Sequence, residues 1–379
     1  MTGSPCRPTR PVAAHEHDQE PTVAFFAHAD GHEQVVLTRD EATGLACIIA
    51  IHSTRLGPAL GGTRWRPYAS EDEAMTDVLR LSRAMTYKNA CAGIDHGGGK
   101  AVIIGDPGTD RSEALLRAYG RAIASLGGRY VTAGDVGTTP ADLAVIKRET
   151  PFVTGAESSD GGSGDSGVTT ALGVELGMRA AAAFRWGSDD LGSRHVAVQG
   201  LGKVGGRLVR SLADQGAKLT VADVDQAAVD RVADLPGVEV VDVDDVLFVD
   251  ADIISPNALG GVLSATTIPE VQAAVVCGGA NNQLATDEDA EALRDADVLY
   301  CPDFVVNAGG VIQVADELLP GGHDPDRVRR RAQAIPATLT TVLEVARDER
   351  VSTEVAAERV AERRIAGVGA LRGFYLPGR

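Results

Sequence analysis

The hydrophobic and polar positions from residue 34 onward alternate between strand-like and helix-like periods. Residues 34–53 hold two apolar, β-branched runs on either side of a polar turn at residues 40–44, which predicts a β-hairpin. Ser70 precedes acidic residues and then apolar residues at helical intervals, which predicts a capped helix of about four turns that ends near Lys88. The next segments predict a buried strand over 100–107, an amphipathic helix over 111–127 and a strand over 129–137. Such alternation is typical of an α/β layer.

A second α/β region follows a stretch rich in glycine, serine and aspartate. That stretch, residues 156–167, is a candidate hinge and the predicted domain boundary. Beyond it the pattern predicts a helix over 169–184 and then strand, glycine turn, helix and strand over 194–225. Short apolar segments at 251–255, 273–279 and 297–306 continue the alternation as a parallel sheet, and a charged helical region begins at residue 324. We expect that last region to pack back on the first domain.

These elements predict a two-domain α/β protein with a cleft between the domains. The length of 379 residues agrees with two hydrophobic cores. We expect an N-terminal α/β substrate, catalytic and oligomerisation domain over residues 22–160 plus about 341–379, and a doubly wound Rossmann domain over 165–340. Residues 1–21 are polar, proline-dotted and aperiodic, which predicts a flexible tail.

Charge and cysteine content limit the binding partners and the cellular compartment that we expect for this protein. Thirty-six Lys and Arg against 53 Asp and Glu give a net charge of −17, so nucleic acid and anionic membrane surfaces are not expected partners. No apolar run reaches the roughly 18–20 residues needed to cross a bilayer, and the N-terminus lacks a hydrophobic signal core. Five scattered cysteines without a CxxC pair predict reduced thiols. A cytoplasmic location follows.

Glycine is in excess, at 44 of 379 residues, and its clusters predict places where backbone approaches a ligand. The sequence GLGKVG at residues 200–205 satisfies GxGxxG directly after a predicted strand, and Asp223 follows 23 residues after Gly200. The alternative is an ordinary glycine turn with Asp223 on the surface. The full order of elements favours a dinucleotide site, and an acid at Asp223 favours NAD over NADP. The predicted cofactor-binding residues here are Gly200, Leu201, Gly202, Lys203, Val204, Gly205, Gly206 and Asp223.

Two lysines and an aspartate stand out in the first domain: Lys88, Lys100 and Asp135. Taken singly, each lysine could be a solvated helix end or a strand-edge residue. If both face one cleft, mutual repulsion and burial favour the neutral form of one lysine, which with the aspartate would form a general acid/base pair. The other lysine would stay charged and hold a substrate carboxylate.

Other catalytic motifs are missing from the sequence. The GGGK run that ends at Lys100 is not a P-loop, because Ile94 stands where the first glycine belongs and Ala101 replaces the Ser or Thr. No HExxH, zinc-type Cys/His spacing or GxSxG occurs, so no metal site is predicted.

Several motifs together resemble the leucine/valine/phenylalanine dehydrogenases of the glutamate dehydrogenase superfamily, and most of all their actinobacterial valine dehydrogenase branch. The resemblance covers roughly residues 30–370 in collinear order. The matching segments are LGPALGGTR, MTYKNA, GGGKAVIIGDP, GRYVTAGDVGTT, GDSGVTTALGV, GLGKVG, ANNQL and PDFVVNAGGVIQVADE. Two departures are the missing prolines at residues 165–168 and Gly134, where an acidic residue usually stands.

The resemblance implies reversible, NAD-dependent oxidative deamination of a branched-chain L-amino acid, with valine, leucine and isoleucine as candidates, to the 2-oxo acid and ammonia. It implies that Lys88 binds the substrate carboxylate, that Lys100 activates water and the carbinolamine, and that Asp135 relays protons to and from the amine. It further implies a homo-oligomer built through the first domain. Positioning of substrate and cofactor falls to Gly61, Gly62, Asn281, Asn282 and Thr170, the last at the nicotinamide carboxamide.

Substrate choice is expected to rest on an aliphatic pocket. Relatives that act on glutamate present a lysine at the position of Leu60, where an apolar residue would leave a second carboxylate buried without a partner. The predicted pocket residues are Leu60, Met85, Ala133, Val311 and Val314. Aliphatic substrates that differ by one methylene are separated by only about 1–3 kcal/mol, so their ranking stays open. The alternatives are a phenylalanine dehydrogenase, for which Val311 is a tight neighbour, and a noncatalytic NAD-binding regulatory protein.

Overall fold

The computed structural model describes residues 31–372, and the predicted tail over residues 1–21 lies outside them. The strands are β1 (Gln34–Asp40), β2 (Leu45–Ser53), β3 (Ala59–Arg66), β4 (Gly97–Ile104), β5 (Tyr130–Gly134), β6 (His195–Gln199), β7 (Lys218–Ala222), β8 (Val238–Val240), β9 (Ile253–Pro256), β10 (Val275–Val276) and β11 (Leu299–Tyr300). The helices are α1 (Glu71–Cys91), α2 (Glu113–Ala124), α3 (Pro140–Lys147), α4 (Gly167–Trp186), α5 (Gly205–Asp214), α6 (Gln226–Asp230), α7 (Glu288–Asp295), α8 (Asp303–Val306), α9 (Gly309–Asp316), α10 (Pro325–Ala332), α11 (Ile335–Glu349) and α12 (Thr353–Arg372).

The first sheet has five strands in the order β1-β2-β4-β3-β5. The predicted hairpin is present, with β1 antiparallel to β2, and β3 runs parallel to both β4 and β5. Strand β3 was not predicted, because its glycines Gly61 and Gly62 interrupt the apolar pattern. It nevertheless occupies the place between the two strands that carry Lys100 and lead to Asp135.

Helix α1 is longer than the four turns predicted from its apolar positions. Ser70 caps it as expected, since its hydroxyl accepts from the Glu73 N–H. The helix then runs for 21 residues to Cys91, and its buried face includes polar residues such as Asp77 and Asn89. Buried polar positions break the apolar period, which is why the pattern underestimated the length. Lys88 lies in the last turn, as predicted.

The second sheet has six parallel strands in the order β11-β10-β9-β6-β7-β8. Numbered along this half of the chain, that order is 3-2-1-4-5-6, the dinucleotide-binding arrangement, with the strand order reversing between β6 and β9. Ligands of such sheets bind at that reversal, beyond the carboxyl ends of the strands. The predicted two-sheet α/β fold with a Rossmann half is therefore confirmed.

The C-terminal helix α12 packs on α1 and brings the chain back to the first sheet. Arg364 donates to the Ile94 carbonyl at 3.0 Å and pairs with Asp95 at 2.9 Å, and the Cys91 thiol lies 3.7 Å from the Ala357 carbonyl. Helix α12 thus contacts α1 of the first domain, whereas the assignment of the C-terminal helices to that domain and the bounds at residues 160 and 165 and at about residue 341 stay predictions. Across residues 31–372, no helix combines the length and apolarity required for a membrane span.

Candidate active site

The centre of the site is an ion pair between Lys100 and Asp135. Lys100 lies on β4, Asp135 follows β5 directly, and the Lys100 Nζ is 2.9 Å from the Asp135 Oδ2. Both side chains are largely buried, with 8% and 16% of their surfaces exposed. Thirty-five positions along the chain separate them, and the parallel alignment of β3 with its two neighbours brings them together.

Glycine on β3 is what allows this approach. A Cβ placed on Gly61 would lie 1.8 Å from the Gly99 carbonyl oxygen, and one placed on Gly62 would lie 2.5 Å from the Gly134 oxygen and 3.1 Å from the Asp135 Cβ. Backbone atoms cannot yield to such contacts at small cost. Gly61 therefore lets β3 lie close to β4 beside Lys100, and Gly62 keeps the floor beside Asp135 free of a side chain.

Arg64 is a residue of this site that the sequence analysis missed. Its Nε donates to the Asp135 Oδ2 at 3.0 Å, the same oxygen that Lys100 contacts. Burial alone would raise the pKa of Asp135, but the cations of Lys100 and Arg64 outweigh it and hold that pKa at about 2. Asp135 is therefore a carboxylate over the whole physiological range.

Lys88 faces residues of the second sheet. Its Nζ lies 3.4 Å from the Asn281 Oδ1, and that oxygen also accepts from the Asn307 Nδ2 at 2.8 Å. Burial lowers the pKa of Lys88 to about 8 against the attraction of Asp303, and the nearby charge of Lys100 lowers it further. The charge of Lys100 thus acts on Lys88 across the site.

Asn307 is a second residue that the sequence analysis missed. It is buried directly after α8, and its Nδ2 also donates to the Gly279 carbonyl at 3.2 Å. Within residues 31–372 its Oδ1 has no hydrogen-bond partner although it is buried. An unpaired buried amide oxygen beside Asn281 fits a ligand that brings a donor to this place, such as a carboxamide. Asn282 lies beside it with a φ of +53°.

The predicted pocket residues lie beside this pair in an apolar cluster. Leu60 is fully buried and packs in one cluster with Val311, while Met85 and Val314 are partly buried against the same cluster. Ala133 pairs with Gly62 in the β3–β5 register. Leu60 itself offers no charge to a second carboxylate, which agrees with an aliphatic side-chain pocket.

The glycine loop after β6 has the backbone that a pyrophosphate requires. Gly200 has a φ of +86°, and a Cβ on Gly205 would lie 1.9 Å from the Gly200 oxygen, so neither tolerates a side chain. A Cβ on Gly202 meets nothing within 4 Å, which leaves open space over the loop. Helix α5 begins at Gly205, so its free N–H groups lie at the loop. These residues fit a dinucleotide.

The rest of the predicted cofactor residues surround that loop. Asp223 follows β7 directly, and its carboxylate accepts from the Leu201 and Asp225 N–H groups, which fixes it at the loop. Lys203 is exposed, with its Nζ 3.9 Å from Asp165. Thr170 on α4 donates to the Ser166 carbonyl at 3.0 Å. The two remaining loop residues, Val204 and Gly206, lie at the start of α5.

Fold and site together define the class: a nucleotide-dependent dehydrogenase in which a Rossmann sheet faces a lysine–aspartate pair. Residues 32–152 match the family described as Glu/Leu/Phe/Val dehydrogenase, dimerisation domain, and residues 220–373 match Glutamate/Leucine/Phenylalanine/Valine dehydrogenase. The chain belongs to this family, which confirms the resemblance found in the sequence. It is thus an amino-acid dehydrogenase of a NAD(P)-dependent family that acts on a CH–NH2 group.

Three relatives illustrate the similarity. Valine dehydrogenase of Streptomyces coelicolor is 53% identical over 90% of this chain and 94% of its own length. Leucine dehydrogenase of Bacillus cereus is 48% identical over 94% of this chain and 97% of its own. The crystal structure of L-tryptophan dehydrogenase from Nostoc punctiforme matches with a TM-score of 0.79 and 43% identity, over 91% of this chain and 98% of that one.

Proposed function

We propose that the protein catalyses the reversible NAD-dependent oxidative deamination of a branched-chain L-amino acid, with L-valine as the first candidate. The observation that carries the proposal is the buried Lys100–Asp135 pair beside Lys88 and next to the apolar cluster around Leu60. The identity of 53% to a valine dehydrogenase supports the substrate class. The products would be the 2-oxo acid, ammonia and NADH.

The charged residues divide the work on the substrate. In its ammonium form, Lys88 would bind the substrate carboxylate and orient the Cα. Asp135, held as a carboxylate by its two cationic neighbours, would accept a proton from the substrate ammonium. Bound NAD would take the hydride from Cα onto the nicotinamide ring. The resulting iminium group would donate a hydrogen bond to the carboxyl of Asp135, which holds the proton for the second half of the reaction.

The second half of the reaction is hydrolysis of the imino acid. Lys100 in its neutral form would take a proton from water as the water oxygen bonds to Cα, giving a carbinolamine. Asp135 would pass the proton it took from the substrate to the amine nitrogen. Lys100, once it has released the water proton to solvent, would accept the carbinolamine hydroxyl proton as the C=O bond forms, the C–N bond breaks and ammonia leaves. Burial of the pair restricts bulk water and strengthens each of these interactions.

Cofactor choice and assembly are also proposals. The fixed carboxylate of Asp223 would accept from the adenosine ribose hydroxyls and repel a 2′-phosphate, which favours NAD over NADP. The glycine loop and the start of α5 would hold the pyrophosphate, and Thr170, Asn281 and Asn282 would position the nicotinamide end. Because residues 32–152 match a family described as a dimerisation domain, we propose a homo-oligomer built through this part. A cytoplasmic location stays a prediction from the sequence.

The test is NADH formation by the purified protein with NAD and a panel of L-amino acids at alkaline pH. Valine, leucine or isoleucine is expected to give the highest kcat/KM, with glutamate and phenylalanine lower by at least about tenfold. Lys100→Ala is expected to lose turnover while NAD binding is nearly unchanged. Absence of turnover with every aliphatic amino acid would overturn the proposed activity, and normal turnover by Lys100→Ala would overturn the assignment of the base.

A further inference from the structure

Behind the catalytic pair lies a chain of charge-assisted hydrogen bonds, of which the proposed reaction uses only the charge of Arg64. Arg64 bridges two carboxylates: its Nε donates to the Asp135 Oδ2 at 3.0 Å, and its Nη1 donates to the two oxygens of Asp77 at 3.2 and 3.0 Å. Asp77 lies on α1 and accepts from the Tyr68 hydroxyl at 2.9 Å. The Arg80 Nη2 lies 3.6 Å from the Asp77 Oδ1. The chain of contacts thus runs from helix α1 to Asp135.

Burial of Arg64 and Asp77 carries a desolvation free energy that their mutual contacts have to offset. Only 9% of the Asp77 side chain and 17% of the Arg64 side chain is exposed. Taking such charges out of water is offset only when the geometry is good and the partners are complete. A planar guanidinium that reaches two carboxylates from different elements holds both at a set distance and angle, which a lysine cannot do.

We propose that Arg64, anchored by Asp77, is the positioning residue that fixes the catalytic Asp135 for proton exchange with the substrate amine. Arg64 and Lys100 both hold the same oxygen, Oδ2, so the carboxylate cannot rotate freely about its terminal bond. The backbone N–H of Val136 also donates to this carboxylate, and we assign the proton exchange with the amine to Oδ1, the oxygen other than the one that the two cations hold. The charged or titratable groups that surround Asp135 are Arg64 on β3, Lys100 on β4, Lys88 on α1 and Tyr130 on β5.

The inference rests on the proposed function, so wild-type turnover of L-valine is measured first. If the wild type turns over no amino acid, the proposed function fails. If the wild type is active, the variants test Arg64 by itself. Arg64→Ala is expected to lower kcat on the order of tenfold to a hundredfold, because one hydrogen bond to a charged group is lost at the reacting centre. The KM for valine and the NAD affinity are expected to change less than about threefold, since neither Arg64 nor Asp77 binds valine or NAD in the proposed reaction.

Chemical rescue separates positioning from a structural role. Millimolar guanidinium is expected to restore kcat of Arg64→Ala by at least about fivefold, because the ion can occupy the space between the two carboxylates. Equal sodium chloride is expected to restore nothing. Arg64→Lys is expected to recover part of the activity, since it supplies one cation but not both contacts. On the acid side of the pH profile, loss of activity in Arg64→Ala is expected to begin at a higher pH than in wild type.

Asp77 supplies the second arm, and its single variant does not depend on the stability of the Arg64 variants. Asp77→Asn is expected to lower kcat by less than Arg64→Ala, and the double variant is expected to be no worse than Arg64→Ala alone, because Asp77 acts through Arg64. The matched control is Arg117→Ala, which removes an arginine that also bridges two carboxylates, Glu113 at 2.8 Å and Glu149 at 2.7 Å, away from the site. It is expected to keep wild-type kcat.

Three results would overturn the inference. The first is a folded Arg64→Ala variant with wild-type kcat. The second is a double variant in which the losses of the two single variants add. The third is a loss of kcat in Arg64→Ala that guanidinium does not restore, together with an equal loss in Arg117→Ala.

Discussion

Lys88 gives the site a pH dependence that can be measured without turnover. Burial lowers the pKa of its ammonium to about 8, from 10.5 for an unperturbed side chain. A difference of about 2.5 units corresponds to roughly 3 kcal/mol between the charged and neutral forms. Only the ammonium attracts a carboxylate strongly. A branched monocarboxylate without an amine, such as isovalerate, is therefore expected to bind the NAD complex more weakly as the pH rises through 8.

The size of the effect follows from the fraction of Lys88 that is charged. At pH 7 about nine-tenths of the free enzyme carries the ammonium, and at pH 10 about one-hundredth does. The dissociation constant of isovalerate is therefore expected to rise about tenfold per unit above pH 8 and about 100-fold in all between pH 7 and 10. The ligand stays ionised throughout, so its own charge adds no pH dependence over this interval.

Equilibrium calorimetry across that interval measures the slope, and Lys88→Arg is the control. A guanidinium stays charged at these pH values, so the variant is expected to bind more weakly at pH 7 but with little pH dependence. A flat wild-type profile would refute the lowered pKa of Lys88. An equal slope in wild type and Lys88→Arg would show that another group titrates.

Three further predictions test the pocket, the cofactor site and the floor of the active site. Leu60→Lys is expected to reduce kcat/KM for valine by at least about 100-fold, because it buries an unpaired charge, and to raise the ratio of glutamate to valine turnover, while Leu60→Met is expected to cost less than about tenfold. Asp223→Ala is expected to shift the NAD/NADP ratio of kcat/KM toward NADP by about tenfold or more, and an unchanged ratio would contradict its role. Gly62→Ala is expected to destabilise the fold by about 1–3 kcal/mol in thermal unfolding and to reduce kcat, because its Cβ would meet the Gly134 oxygen at 2.5 Å. Gly367→Ala, whose Cβ would meet nothing within 4 Å, is the matched control: it is expected to leave kcat unchanged and, because it lies inside helix α12, to raise stability by up to about 1 kcal/mol.

The dinucleotide site could be predicted because its parts are close together along the chain. The strand, the turn at Gly200, the start of α5 and Asp223 lie within about thirty residues, so local pattern fixes their spatial order. The same holds for the β1–β2 hairpin and for the cap at Ser70. In each case a short loop connects the elements, and its turn residues allow few backbone conformations.

The parts that were missed depend on contacts between distant positions. Arg64 is one of many arginines, and nothing local distinguishes it, because its partners lie 13 residues away at Asp77 and 71 residues away at Asp135. Asn307 reaches Asn281 over 26 residues. Strand β3 escaped notice because its two glycines removed the side chains that would have shown an alternating pattern. A site can therefore be recognised from its reactive residues while the residues that orient them stay hidden.

The missed strand and the missed arginine are linked in the structure, and the link also explains part of the glycine excess. A side chain at Gly62 would meet the Asp135 Cβ and the Gly134 oxygen, and one at Gly61 would meet the Gly99 oxygen next to Lys100, so β3 carries glycine at both positions. Glycine there contributes no side chain of its own to hold the pair in place. The next available inward contact on β3 is Arg64, two positions later, and it supplies the restraint that the glycines cannot. The open floor and the arginine behind it are thus two consequences of placing two opposite charges across one strand.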